Sequence, residues 1–241
     1  MADDDVLAVG HGPVTVVAVH GIQGTRGAWI PLAEQLADRC TFVLPNLPGR
    51  GKARPPAGAQ ACSLDACAQV LRRTLDTHVR GPFVLAGWSM GVSVALAYLA
   101  GASRMPGQPL PAELLLVSGT PQLNAVQWFQ PLAPAALLEA IAMRERRLGL
   151  REAADHRTVA WTWESIRHTD QRGELGLVRC RTLVIHGSDD GDCPLAHGAM
   201  LASGIPDAEL VVLHGAGHSV LTQRTPDIAR HLRERWPGQL A

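Results

Sequence analysis

Net charge is the first thing this sequence lacks. Lysine plus arginine number 22 and aspartate plus glutamate 22, so the formal charge at neutral pH is zero. No long lysine or arginine tract interrupts that balance, and with it goes the electrostatic footprint of a nucleic-acid binder. No apolar run reaches the roughly 20 residues of a membrane-spanning helix, because Gly, Pro or charge breaks each candidate. The opening stretch MADDDVLAVG is acidic and lacks the basic start and apolar core of a secretory signal. The five cysteines, Cys40, Cys62, Cys67, Cys180 and Cys193, are odd in number and contain no CxxC pair. That speaks against a disulfide frame or a zinc site and for reduced, intracellular thiols. The expectation is a cytoplasmic protein that binds neither nucleic acid nor membrane. Internal repeats and low-complexity segments are also missing.

What is present suits one globular domain with room for an insertion: 241 residues, 46% of them hydrophobic, enough to bury a core without staples. Short β-rich runs alternate with helical patterns. VTVVAV (14–19), TFVLPN (41–46), FVLAGW (83–88), ELLLVSG (113–119), TLVIHG (182–187) and ELVVLHG (209–215) read as strands. These runs are nearly unbroken apolar stretches, the mark of strands buried on both faces in a parallel sheet. Between them, 31–40, 63–79, 90–100 and 225–236 carry helical spacing. Ser63 and Thr225 stand as N-caps, and Leu64, Cys67, Leu71, Leu75 and His78 form one stripe. The order predicts a doubly wound α/β fold. From 121 to 178 the rhythm breaks: only helical patterns occur, at 134–150 and 151–170, which suggests a helical cap. The core would then comprise 1–120 and 179–241.

GWSMG (87–91) sits where one strand hands over to a helix. A serine in G-x-S-x-G is held on a strained turn with its hydroxyl outward, beside the unpaired N–H groups of the helix start. A hydroxyl needs a base to become nucleophilic, and the base needs a carboxylate. The sequence offers SDDGDCP after one late strand and AGHSVL after the next, both at strand carboxyl ends.

With those segments the chain resembles the α/β-hydrolase superfamily along nearly its whole length. HGIQGTRGAW resembles the oxyanion loop, NLPGRGKA the D-x-P-G-x-G-x-S loop, GWSMG the nucleophile elbow, GSDDGDCP the acid segment and GAGHSVL the histidine segment. The resemblance implies a mostly parallel sheet with a small helical cap inserted after the sixth family strand. It implies Ser89 as nucleophile, His218 as general base and Asp190 as acid, with Asp189 and Asp192 as rivals. The backbone N–H groups of Ile22 and Met90 would form the oxyanion hole. Trp88, Gly21 and Trp128 would contact substrate, and neither metal nor organic cofactor would be required. The chain departs from the family pattern at Asn46, Arg50 and Arg181; Arg50 is expected to alter the pocket rim. The opening antiparallel hairpin is expected to be reduced.

The implied activity is cleavage of a carboxylic ester through an acyl-enzyme, as in carboxylesterases and pimeloyl-carrier methyl ester esterases. A thioesterase, a C–C bond hydrolase of the ring-fission type, a haloperoxidase-like enzyme and a ligand-binding module on a degenerate hydrolase fold are the rivals. His20 is expected to fix the oxyanion loop, and His186 to pack. Arg144, Arg146, Arg147, Arg151 and Arg157 allow two readings. They form a solvated helix face with Glu145 and Glu152, or they meet an anionic partner: an acyl carrier protein, a coenzyme A thioester or a dicarboxylate.

Overall fold

The computed structural model describes residues 5–105, 107–129, 133–150 and 152–236. Seven strands form one sheet: β1 (Val6–Gly10), β2 (Val14–Val19), β3 (Cys40–Pro45), β4 (Phe83–Trp88), β5 (Glu113–Val117), β6 (Arg181–Gly187) and β7 (Ala208–Leu213). Their spatial order is β1-β3-β2-β4-β5-β6-β7. Only β1 runs antiparallel, against β3; every other neighbouring pair is parallel. Among the described residues the opening hairpin is thus reduced to a single antiparallel edge strand. The helices are α1 (Ile30–Gln35), α2 (Leu64–His78), α3 (Met90–Arg104), α4 (Pro134–Leu148), α5 (His156–Ile166), α6 (Leu195–Gly204), α7 (Val220–Gln223) and α8 (Thr225–Arg235).

The apolar runs of β2 to β6 are largely buried on both faces, as their composition required; β7, read the same way, is an edge strand and only part-buried. Val17, Val19, Leu85, Leu114, Leu116 and Val184 join one core with residues of α2 and α3. Their neighbours Val16, Ala18, Val84, Ala86, Leu115, Val117 and Ile185 join a second core with α1 and α8. The two-residue alternation of a strand divides one sequence between two layers.

Several boundaries move for local reasons. Ser63 caps α2 as expected, accepting from the N–H of Ala66 at 3.2 Å. His78 does not share the buried stripe; it is exposed on the last turn, and Val70 and Thr74 take the inner positions. Thr225 is no N-cap: its hydroxyl turns back and donates to the carbonyl of Leu221, with α8 starting at Thr225 itself. The helix expected over 151–170 begins only at His156, where Asp155 accepts from the N–H of Thr158 at 3.0 Å.

The segment between β5 and β6 carries α4 and α5, and its one β feature among the described residues is a single bridge between Gln122 and Asp170. α4 ends at Leu148 with Gly149 in the left-handed region, φ 61°, the usual geometry of a glycine helix stop. That turn lays Leu148 and Leu150 beside the carboxyl end of β4. No helix among the described residues is long and apolar enough to cross a membrane.

Candidate active site

β4 delivers Ser89 to the middle of the sheet's carboxyl edge, and α3 starts at the next residue. Ser89 has φ 57° and ψ −121°, a conformation an L-residue rarely adopts. The flanking glycines are there for space. A Cβ on Gly91 would stand 2.2 Å from the Val19 carbonyl oxygen, and one on Gly87 would stand 2.4 Å from that of Gly91. Met90 is the first residue of α3, so its N–H has no acceptor within the helix.

Two loops from the far end of the chain complete the arrangement. After β7, His218 comes within 2.9 Å of the Ser89 hydroxyl through Nε2. After β6, both carboxylate oxygens of Asp190 lie 3.0 Å from Nδ1 of the same ring. A carboxylate can only accept, so Nδ1 carries the proton and Nε2 is left to accept from the hydroxyl. Asp190 also accepts the N–H groups of Asp192 at 3.0 Å and Cys193 at 2.8 Å. Burial alone would raise the Asp190 carboxyl; the hydrogen bonds from His218 and the Cys193 N–H outweigh it and hold the group below its ordinary value. The indole of Trp88 donates to the His218 carbonyl at 3.1 Å, and its ring lies 5.6 Å from the imidazole. Of the three aspartates in the loop, Asp190 is the one bonded to the imidazole. Asp189 is exposed and accepts from Ser188, while Asp192 faces Arg144 and Arg147.

The loop after β2 faces Ser89 from the other side. A Cβ on Gly21 would meet the Ser89 Cβ at 3.1 Å, so glycine permits the close approach. His20 accepts the N–H of Leu47 at Nε2, 3.1 Å, which leaves Nδ1–H to donate to the Gly21 carbonyl at 2.8 Å. That carbonyl belongs to the same peptide unit as the Ile22 N–H. Burial, helped by the charge of Arg50, lowers His20 to about 3, so the ring is neutral. Gly21, Ile22, Gln23, Trp88, Ser89, Arg144, Leu148, Leu150 and His218 enclose a cavity of about 10 Å³, space for roughly one water molecule. It adjoins an open cleft of about 560 Å³ that shares Gly24, Trp88, Leu148 and Leu150 as walls.

A strained serine on a strand-to-helix turn, joined through a histidine to a buried carboxylate, agrees with what sequence comparison finds. Residues 16–230 match the Alpha/beta hydrolase family. This chain belongs to the alpha/beta hydrolase family. Relatives span the hydrolase end to end. The pimeloyl-[acyl-carrier protein] methyl ester esterase of Chromobacterium violaceum is 28% identical, covering 97% of this chain and 98% of that protein. The putative carbamate hydrolase RutD of Azorhizobium caulinodans is 26% identical over 99% of this chain and 97% of its own length. An esterase structure from Exiguobacterium antarcticum shares the fold, with a TM-score of 0.79 and 20% identity over 97% of this chain and 95% of the other.

Some expectations for the hydrolase's site need revision. Trp128 does not line the cavity; its indole donates to the Asp192 carbonyl at 3.0 Å, and it packs behind Arg144 and against Trp163. Trp29, by contrast, is a plain core residue, fully buried and donating to the Val19 carbonyl. Arg50 is not at a rim. Its guanidinium is wholly buried and donates to the carbonyls of Ile22 at 2.6 Å and Pro48 at 2.8 Å, and to the Thr162 hydroxyl at 3.0 Å. It ties the loop after β2 to the loop after β3 and to α5. Asn46 does related work, accepting the Arg26 N–H and donating to Asp5. His186 does more than pack: Nε2 donates to the Cys193 carbonyl at 2.7 Å, bracing the loop that holds Asp190.

The arginines expected to act as a group separate. Arg144 is buried, and Arg147 reaches Asp192 from the surface. Arg146 is exposed, Arg157 stacks on Trp161, and Arg151 lies outside the described residues. Burial would raise Asp192, but the hydrogen bonds from Arg147 and the charge of Arg144 hold it far below the carboxylate range. Asp190, Asp192 and His218 have ligand atoms within 4.8 Å of one another. A metal cation there would sit beside two guanidinium groups and compete with the imidazole for Asp190, a poor fit on charge alone. Gln23 was not legible as a site residue, and Arg144 was legible only as one of a group of arginines that could meet an anion: Arg144 and Asp192 are 48 positions apart and share no motif.

Proposed function

We propose that this hydrolase cleaves a carboxylic ester through an acyl-enzyme on Ser89. The hydrogen-bond chain from Ser89 through His218 to Asp190 carries the reading. His218 takes the proton as the Ser89 oxygen bonds to the ester carbonyl carbon, and Asp190 stabilises the imidazolium. The negative oxygen rests on the N–H groups of Ile22 and Met90. The carbon–alkoxy bond then breaks, and the alcohol departs with the proton held by His218. Water, losing a proton to His218, attacks the acyl carbon, and the acid leaves as Ser89 regains its hydrogen. The names of the two relatives support an acyl carbon as the target, one an ester and the other a carbamate. On this reading 121–178 is the cap that walls the cavity, and any carrier protein or coenzyme A would meet the exposed Arg146 and Arg157, because Arg144 is buried and Arg147 is engaged by Asp192.

The test is labelling by a fluorophosphonate probe alongside turnover of p-nitrophenyl esters. The wild type should be labelled once and release p-nitrophenol in a burst; Ser89→Ala should do neither. A wild type that stays unlabelled would favour the ligand-binding module instead.

A further inference from the structure

Arg144 has more hydrogen-bonding capacity than the protein uses. It lies on α4 and is 5% exposed. Its Nε donates to Asp192 at 2.9 Å and its Nη1 to the side-chain oxygen of Gln23 at 2.6 Å. Its Nη2 is buried and has no hydrogen-bond partner. The guanidinium carbon lies over the rings of Trp128 and Phe129, whose centres are 5.4 and 5.6 Å away. Gln23 is itself fixed, donating to the Ile141 carbonyl at 2.9 Å. The group is therefore rigid, and it forms part of the wall of the cavity that contains Ser89 and His218.

A buried, charged donor left without an acceptor costs about 1–3 kcal/mol or more. The ion pair with Asp192 does not explain that expense. Arg147 already gives Asp192 two hydrogen bonds, at 3.1 and 2.8 Å, from a side chain that is 58% exposed. Asp190, the other carboxylate here, is taken by His218 and two backbone N–H groups. Gln23 contributes no charge. Arg50 also keeps a buried nitrogen unpaired, but it does not line this cavity.

We infer that Arg144 anchors an anion in the active site, and that the substrate carries a carboxylate a few bonds from the scissile carbonyl. The inference rests on the proposed ester hydrolysis for the reaction, though not for the anion site itself. A planar guanidinium with a fixed donor direction matches a carboxylate. Monoesters of short dicarboxylic acids are the simplest substrates of this class.

The experiment compares monomethyl succinate, glutarate and adipate with the methyl esters of the corresponding monocarboxylic acids. The wild type should favour the charged ester by about tenfold or more in kcat/KM. In Arg144→Gln that preference should fall to near unity, whatever happens to the absolute rates, and Arg144→Lys should keep part of it if the glutamine variant fails to fold. A structural role alone would lower both substrates equally and leave the ratio intact; that result, or a wild-type ratio near one, overturns the anchor. Calorimetry on Ser89→Ala separates the two readings. Glutarate should bind more tightly than butyrate, and Arg144→Gln should abolish the difference. Such binding without ester turnover would sink the ester reading and keep the anchor. Equal binding of both acids would sink the anchor.

Discussion

Replacing Arg50 with methionine asks whether a residue that touches no substrate sets the geometry of the proposed oxyanion hole. The side chain makes three hydrogen bonds, to Ile22 and Pro48 carbonyls and to Thr162, all from a wholly buried cation. Charge-assisted bonds contribute roughly 1.5 kcal/mol or more each, about 4–5 kcal/mol together. Removing a buried cation whose three acceptors are all neutral recovers desolvation energy and offsets part of this. A net loss of about 2–4 kcal/mol remains. For a chain of this length it lowers Tm by about 4–16 °C. The catalytic effect is separate. Arg50 holds the carbonyl of Ile22, whose own N–H is the proposed oxyanion donor, and losing one such donor costs about 3 kcal/mol. We expect kcat on a p-nitrophenyl ester to fall up to about 100-fold, with KM changing less, measured well below the variant's Tm. Arg50→Lys keeps the charge but cannot span three acceptors, so it should lie nearer to methionine than to wild type. A methionine variant with wild-type Tm and kcat would show that the loop keeps its shape unaided and refute the reasoning.

Further outcomes follow from the same geometry. Asp190→Asn removes the acceptor that fixes the His218 tautomer; kcat should drop by about 10³–10⁴ with the fold intact by circular dichroism. Gly91→Ala drives a Cβ to 2.2 Å from the Val19 carbonyl, so soluble expression or Tm should collapse. His20 is held near 3 against 6.5, so the unfolded chain binds the extra proton across that interval. Its contribution to stability is complete above about pH 6.5 and is lost at about 1.4 kcal/mol per pH unit on acidification towards 3. In urea titrations at pH 7 and pH 5, His20→Gln should show less of this loss than wild type; equal slopes would refute it.

The parallel sheet was legible because each buried strand shows as a short apolar run, and both faces of the sheet demand apolar residues. The elbow was legible because its constraints are local: Ser89 needs glycines two residues away on either side, and those five positions are contiguous. The partners of Ser89 were readable only as residues placed after strand ends. The resemblance favoured Asp190 over Asp189 and Asp192, but only the loop's conformation shows which carboxylate meets the imidazole, since the three find different partners. The helix ends at Thr225 and His156 moved because Thr225 found an acceptor in the preceding turn and Asp155 capped its own helix.

By itself the sequence determined the layering of the fold and where Ser89 stands, since periodicity and turn sterics act within a few residues. The tertiary structure alone decided what surrounds that serine. Arg50 went inward to hold Ile22, Trp128 went behind Arg144, and Arg144 reached the cavity wall from α4, remote in sequence. Those outcomes depend on which buried polar groups find partners across the fold, and hydrogen bonding over 28, 64 or 121 residues leaves no periodic trace in the chain.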